Sequence, residues 1–160
     1  MIETTPARVN PIIIDEKMVK IARDKYLTSK VLQEKGFTSP KTYLEEEFHK
    51  IESFPVILKP RKGYGSNMLF KNITKDEIET FSRYIKKSGW EPIAQEQLVG
   101  NEYSCMTINS KDRELLCLEV AWSYKKYGQS YKTIVLKGRK DLESFILKVN
   151  RSLKPKGPLS

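Results

Sequence analysis

Residues 54–73, FPVILKPRKGYGSNMLFKNI, decide how this chain is read. FPVILKP is an apolar, β-rich run bounded by prolines and reads as a strand. RKGYGS is a loop by composition, and NMLFKNI reads as a second strand, so the pair forms a glycine-bearing hairpin. Gly63 and Gly65 let backbone N–H groups approach an anion, while Lys59, Arg61 and Lys62 put positive charge beside them. A phosphate-binding loop is built from such parts. A dinucleotide fingerprint would need a further glycine and a following helix, whereas position 68 is Met and a strand follows. On the residues alone, a plain hairpin turn with solvated cations stays open beside the phosphate loop.

Upstream, Asp24 caps a helix carrying Leu27, Val31 and Leu32, with Gly36 as its stop and Pro40 soon after. Residues 16–22 are helical by the spacing of Met18, Ile21 and Ala22. Residues 41–44 are extended and 45–51 form a brief helix. Downstream, Thr74 and Glu77 form a capping box before a helix whose apolar face is Ile78, Phe81 and Ile85 and whose stop is Gly89. Residues 90–99 are extended, Gly100-Asn101 turns the chain, and 102–109 and 113–124 are strands joined through Ser110-Lys111-Asp112. Residues 129–136 add another strand. Asp141 is expected to cap the last helix, in which Leu142, Phe145, Ile146, Val149 and Leu153 recur at helical spacing. Hairpins with helices set apart imply an α+β fold.

At 160 residues the chain is the length of one domain or of a piece of a larger one. No apolar run approaches the roughly 18 residues a membrane span needs. The amino-terminal MIETTPARVNPIIID lacks a long apolar stretch, so it is not read as a secretory signal. Two cysteines make no disulfide framework, and Cys105 and Cys117 are expected to be buried structural residues. These features describe a reduced, cytoplasmic protein. The net charge of +9 attracts phosphate of any kind but does not choose among nucleic acid, nucleotide and lipid. Metal and nucleophile templates are missing: the one histidine, His49, lies in the acidic EEEFHK, and neither G-x-S-x-G nor a P-loop pattern occurs.

A second constellation, IAQEQLVGNEY over 93–103, places a strand, a short linker and an acid where backbone could read a purine edge and a carboxylate could take ribose hydroxyls. With both stretches in view the chain resembles the ATP-grasp family, in particular carbamoyl phosphate synthase large chains and related carboxylate–amine ligases. The carrying blocks are DKYLTSKVLQEKGFTSPKTY (24–43), FPVILKPRKGYGS (54–66), AQEQLVGNEYS (94–104) and YGQSYKT (127–133), in the family's order. The resemblance implies that ATP lies between two α+β subdomains. Lys25 would then match the basic residue expected to reach phosphate, and Lys59 the strand-end cation on the α- and β-phosphates. Gly63, Gly65 and Ser66 would match the loop that closes over the phosphates. Glu96 and Leu98 would match the adenine linker, Leu98 offering backbone to the purine, and Glu102 the ribose acid. Residues 128–132 match most loosely a stretch leading toward phosphate and substrate.

Two departures accompany the match. Asn67 and Met68 stand where the family often has a further Gly or Lys, and the family's magnesium carboxylates follow a segment resembling KPKGPLS, which here ends the sequence at Ser160. The resemblance therefore implies an incomplete ATP-grasp domain over 24–160, preceded at 1–23 by the remnant of a linker or helix. It would bind ATP, with Mg²⁺ expected only alongside those further carboxylates. Its complete relatives activate a carboxylate as an acyl phosphate and pass it to an amine or ammonia. Trp122, Tyr124, Ile134 and Leu136 are expected on a partly uncovered sheet face open to a complementing chain or to self-association. The alternative from another class is a basic module for single-stranded nucleic acid, using Tyr64, Trp122, Tyr124 and Tyr127 as stacking platforms among Lys125, Lys126 and Lys132.

Overall fold

The computed structural model describes residues 13–126 and 129–159. Its elements are α1 (Glu16–Arg23), α2 (Lys25–Glu34), β1 (Thr42–Leu44), a 3-10 helix (Glu45–Lys50), β2 (Val56–Pro60), β3 (Phe70–Ile73), α3 (Ile78–Lys87), β4 (Pro92–Glu96), β5 (Tyr103–Asn109), β6 (Leu115–Lys126), β7 (Gln129–Val135), α4 (Lys140–Leu153) and β8 (Gly157–Leu159). They build two four-stranded sheets, ordered β1-β4-β2-β3 and β7-β6-β5-β8, in which every pairing is antiparallel. The expected α+β architecture is therefore present, and β2 pairs with β3 as the hairpin required.

Strand alternation organises the first sheet. Val56, Leu58 and Pro60 are buried on one face, and Val56 and Leu58 pack with Ile78, Ile85 and Ala94 into a core under α3. The opposite face carries Ile57 and Lys59 on β2 and, through the register Ile57↔Gln95 and Lys59↔Ile93, Gln95 and Ile93 on β4. Thr42 pairs with Gln95 from β1, so three strands contribute polar side chains to this face.

Two N-caps set the entry to this face. Asp15 accepts from Met18 N at 2.9 Å and Asp24 from Leu27 N at 3.0 Å, each satisfying a donor that a helix start leaves open. At the next helix the Glu77 carboxylate reaches back to Thr74 N at 3.0 Å and Oγ1 at 2.7 Å, and α3 begins at Ile78.

Asp141 does not cap α4. The cap position is Arg139, without a capping side-chain bond, and Asp141 lies in the first turn. Its oxygens take the Arg139 guanidinium at 2.9 and 2.7 Å instead, so the stronger charge-assisted pair outcompetes the cap. The cysteine expectation also needs correcting. Cys117 is exposed and Cys105 half-buried, because the register places Cys117 opposite Ile108 and Cys105 opposite Val120, on opposite faces of the sheet.

The second sheet is joined to α4 by a buried reciprocal amide pair. Asn109 Nδ2 donates to Asn150 Oδ1 at 3.2 Å, and Asn150 Nδ2 to Asn109 Oδ1 at 2.9 Å. β8, for which the sequence offered no strand signal, adds to the β5 edge with Thr107 opposite Leu159.

Candidate functional site

The hairpin loop is anchored at its base and open at its tip. Lys25, the first residue of α2, donates from Nζ to Pro60 O at 3.1 Å and to Gly63 O at 3.0 Å, and its backbone N–H donates to Arg61 O at 3.1 Å. An isolated bridge between Asp24 and Lys62 extends the same seam. Beyond Gly63 the loop lies open to solvent, with Tyr64 94% exposed. Gly63 at φ 129° and Gly65 at φ 69° adopt conformations that a side chain would strain, and a Cβ on Gly65 would meet nothing within 4 Å. The requirement at Gly65 is thus conformational and not steric.

Arg61 does not add free charge to this loop. Its guanidinium holds Asp24 at 2.9 Å and Glu91 at 2.8 Å, and these carboxylates raise its pKa further above the ordinary arginine value. Arg61 fastens the N-terminus of α2 to β2 and the segment before β4.

Lys59 is the central cation. Its Nζ donates to Gln95 Oε1 at 2.6 Å, Gln95 Nε2 donates to Thr42 Oγ1 at 2.8 Å, and Thr42 Oγ1 donates to Pro40 O at 3.0 Å. The Lys59 pKa is lowered to about 8, first by burial and then by the neighbouring Lys25 charge, with Glu102 opposing both. Lys25 is likewise lowered, first by burial, with Asp24 opposing. Two desolvated ammonium groups therefore stand at the end of β2, and the charge of Lys25 acts on Lys59. Each ammonium has a hydrogen left after the bonds above, so an anion between them would relieve the repulsion and accept from both.

The sequence-derived residues fall into groups. Lys25 and Glu102 both act on the charge of Lys59, the first against it and the second for it. Gly63, Gly65 and Ser66 occupy the exposed loop at the end of β2. Leu98 lies on the exposed linker after β4, 63% open to solvent. Glu96 points elsewhere: its carboxylate accepts from Lys41 N at 3.1 Å, while its strand neighbour Gln95 faces Lys59. Gln95 and Thr42 were missed. Counting alternation back along PIAQE from the register with β2 would have found Gln95, but that register is a tertiary fact. Gly128 and Tyr127 lie outside the described residues.

The sheet and loop arrangement and the order of these blocks can be set beside known proteins. The ATP-grasp domain family matches residues 22–152. The chain belongs to the ATP-grasp family. This ATP-grasp chain is 33% identical over 91 residues to the D-alanine–D-alanine ligase of Fusobacterium nucleatum subsp. nucleatum, covering 57% of itself and 30% of that enzyme. Among solved structures it is similar to carboxyaminoimidazole ribonucleotide synthase from Aspergillus clavatus, complexed with ATP, at TM-score 0.73 and 14% identity, covering 89% of this chain and 41% of that one. It is also similar to the VanG D-Ala:D-Ser ligase of Enterococcus faecalis, at TM-score 0.66 and 17% identity, covering 89% and 48%. The chain thus spans less than half the length of each of these relatives.

The similarity establishes the family, related to ATP-dependent carboxylate–amine ligases, and does not establish the carbamoyl phosphate synthase branch. Nothing in these matches supports a single-stranded nucleic-acid module. Among the described residues, no three His, Cys, Asp or Glu side chains gather where a metal ion could be held. Also among them, no helix is long and apolar enough to cross a membrane.

Proposed function

We propose that this chain binds ATP at the end of β2, and that the protein to which its fold belongs is a ligase activating a carboxylate as an acyl phosphate. The observation that carries the reading is Lys25 tied to Gly63 O beside the strand that bears the desolvated Lys59, at a glycine loop in an ATP-grasp fold. Lys59 and Lys25 would take phosphate oxygens, and Gly63, Gly65 and Ser66 would close over them. Leu98 would offer backbone to the purine edge, and Glu102 would accept from the ribose hydroxyls. The polar linker side chain on the Lys59 face is Gln95, so we assign the adenine-side contact to Gln95 and a linker-bracing role to Glu96.

In the full reaction the carboxylate oxygen attacks the γ-phosphorus, ADP leaves, and an amine then displaces phosphate from the acyl carbon. What these residues supply is positioning and charge neutralisation. Mg²⁺ belongs to this proposal only with carboxylates beyond those described. We place the protein in the cytoplasm, where the exposed Cys117 would stay reduced.

Equilibrium titration with ATP, adenosine and inorganic triphosphate tests the site. The expected order is ATP tightest, with triphosphate retaining the lysine-dependent part. Equal affinity for ATP in wild type and Lys59→Ala would remove the phosphate assignment.

A further inference from the structure

A concavity of about 840 Å³ lies away from the proposed nucleotide site, between α3 and the 3-10 helix. That volume is within the range of small-molecule sites, roughly 300–1,000 Å³. Its apolar wall is Phe48, Ile51 and Phe54, all half-buried, continued inward by the buried Ile78. Helical spacing explains the polar rim. Ile78, Ser82 and Ile85 are the buried row of α3, which places Glu79, Arg83 and Lys86 in the stripe beside it, with Lys87 at the helix end.

The groove's charges are unevenly matched. Glu45 is taken: one oxygen accepts from Ser82 Oγ at 2.8 Å and the other pairs with Lys86 at 3.0 Å. Burial raises the Glu45 carboxyl's pKa, but Lys86 and Ser82 outweigh it and hold the group ionised. Lys75, Arg83 and Lys87 have no ion-pair partner among the described residues, and the remaining rim carboxylate is Glu79. His49 adds an exposed ring at the edge. An aromatic and aliphatic wall bordered by unmatched cations complements a body that is apolar at one end and negative at the other.

We infer that this groove binds a small amphipathic anion, a carboxylate or phosphate monoester on an aromatic or branched apolar body. The apolar part would lie against Phe48, Ile51 and Phe54, and the anionic end would reach Arg83 with Lys87 or Lys75. Neither charge nor apolar area suffices alone: solvated lysines bind free phosphate weakly and without a preferred place, and an uncharged body leaves the cations unmatched.

The test is an amide chemical-shift titration of the full chain with 1-naphthyl phosphate, beside 1-naphthol and inorganic phosphate. Saturable shifts are expected at Phe54, Ser82 and Arg83 with the first probe, and much weaker ones with either half. Arg83→Glu should reduce affinity about tenfold, the scale of one desolvated charge contact. Lys75→Glu, in the turn before α3, repeats the charge reversal where helix stability is not at stake, and should weaken binding in the same direction. Lys59→Ala should leave it unchanged, which separates this site from the nucleotide proposal. Equal response to inorganic phosphate, shifts centred elsewhere, or indifference to both reversals would overturn the inference.

Discussion

Lys59 and Gln95 sit diagonally across β2 and β4 on one face, and the lysine ammonium donates to the amide oxygen at 2.6 Å. The amide nitrogen is in turn held by Thr42 at 2.8 Å, so Gln95 cannot rotate its oxygen away without losing that bond. The lysine ammonium is thereby held in one position before any ligand arrives.

Lys59→Ala is expected to weaken ATP by about 1.5–3 kcal/mol, the worth of a charge-assisted hydrogen bond. Inorganic triphosphate should lose a comparable amount. Glu102→Ala should weaken ATP while sparing triphosphate, because its proposed partner is the ribose. Calorimetric titration of the three ligands against both variants checks the division.

The Lys59 pKa, lowered to about 8 first by burial and then by Lys25, fixes the sign of two pH effects. ATP affinity should fall as pH rises through that value, and Lys59→Arg, which stays charged, should extend binding to higher pH. Stability runs the other way. Between the folded value and the ordinary lysine value the unfolded chain binds more protons, so wild type should gain stability relative to Lys59→Met over that window. Urea unfolding of both proteins across the range measures the difference, and parallel curves would contradict it.

Arg61→Ala should cost about 3 kcal/mol, since it leaves the carboxylate of Asp24, 5% exposed, without its partner. Burial raises the Asp24 carboxyl's pKa, but Arg61 and the Leu27 N–H overcome this and the net shift is downward. Its stabilising contribution is therefore present above the unfolded carboxyl value and lost as pH falls through the folded one. Acid unfolding should begin at higher pH in the variant, and circular dichroism against pH reads this directly.

The Asn109–Asn150 pair predicts a non-additive cycle. Either single change to Leu strands a buried amide at a cost of about 1–3 kcal/mol, whereas the double change removes both polar groups together. The double variant should lose less than the two singles added, with chemical denaturation of all four proteins giving the coupling.

Tyr124 and Ile134 are 51% and 40% exposed on one face of the second sheet, and Met106, Ile108 and Val135 are 45%, 38% and 51% exposed on the other. Trp122 and Leu136, grouped with the former by sequence, are half-buried. If this sheet associates with a second copy or a complementing chain, Met106→Lys with Val135→Lys should shift sedimentation toward monomer and reduce hydrophobic-dye binding. A wild-type monomer at high concentration would end the proposal.

Local rules were enough for much of this protein. Asp24 as an N-cap, the prolines around VILK and the glycines at 63 and 65 act over a few residues, so the α2 start, the hairpin and the loop were legible before any coordinates. The order of the blocks carried the family. Which side chains share a face was not local. Adjacent strand residues point opposite ways, so a shift of one position exchanges Gln95 for Glu96, and only the pairing of β4 with β1 and β2 decides which meets Lys59. The same holds for Arg61, whose charge looked available to a phosphate until folding brought Asp24 and Glu91 to it from 37 and 30 residues away. β8 depends on an edge that β5 presents from nearly 50 residues back, and no pattern in KPKGPLS encodes that edge. Sequence determined the local elements because their energies are local; tertiary structure decided the charges, because an ionised group is defined by what surrounds it.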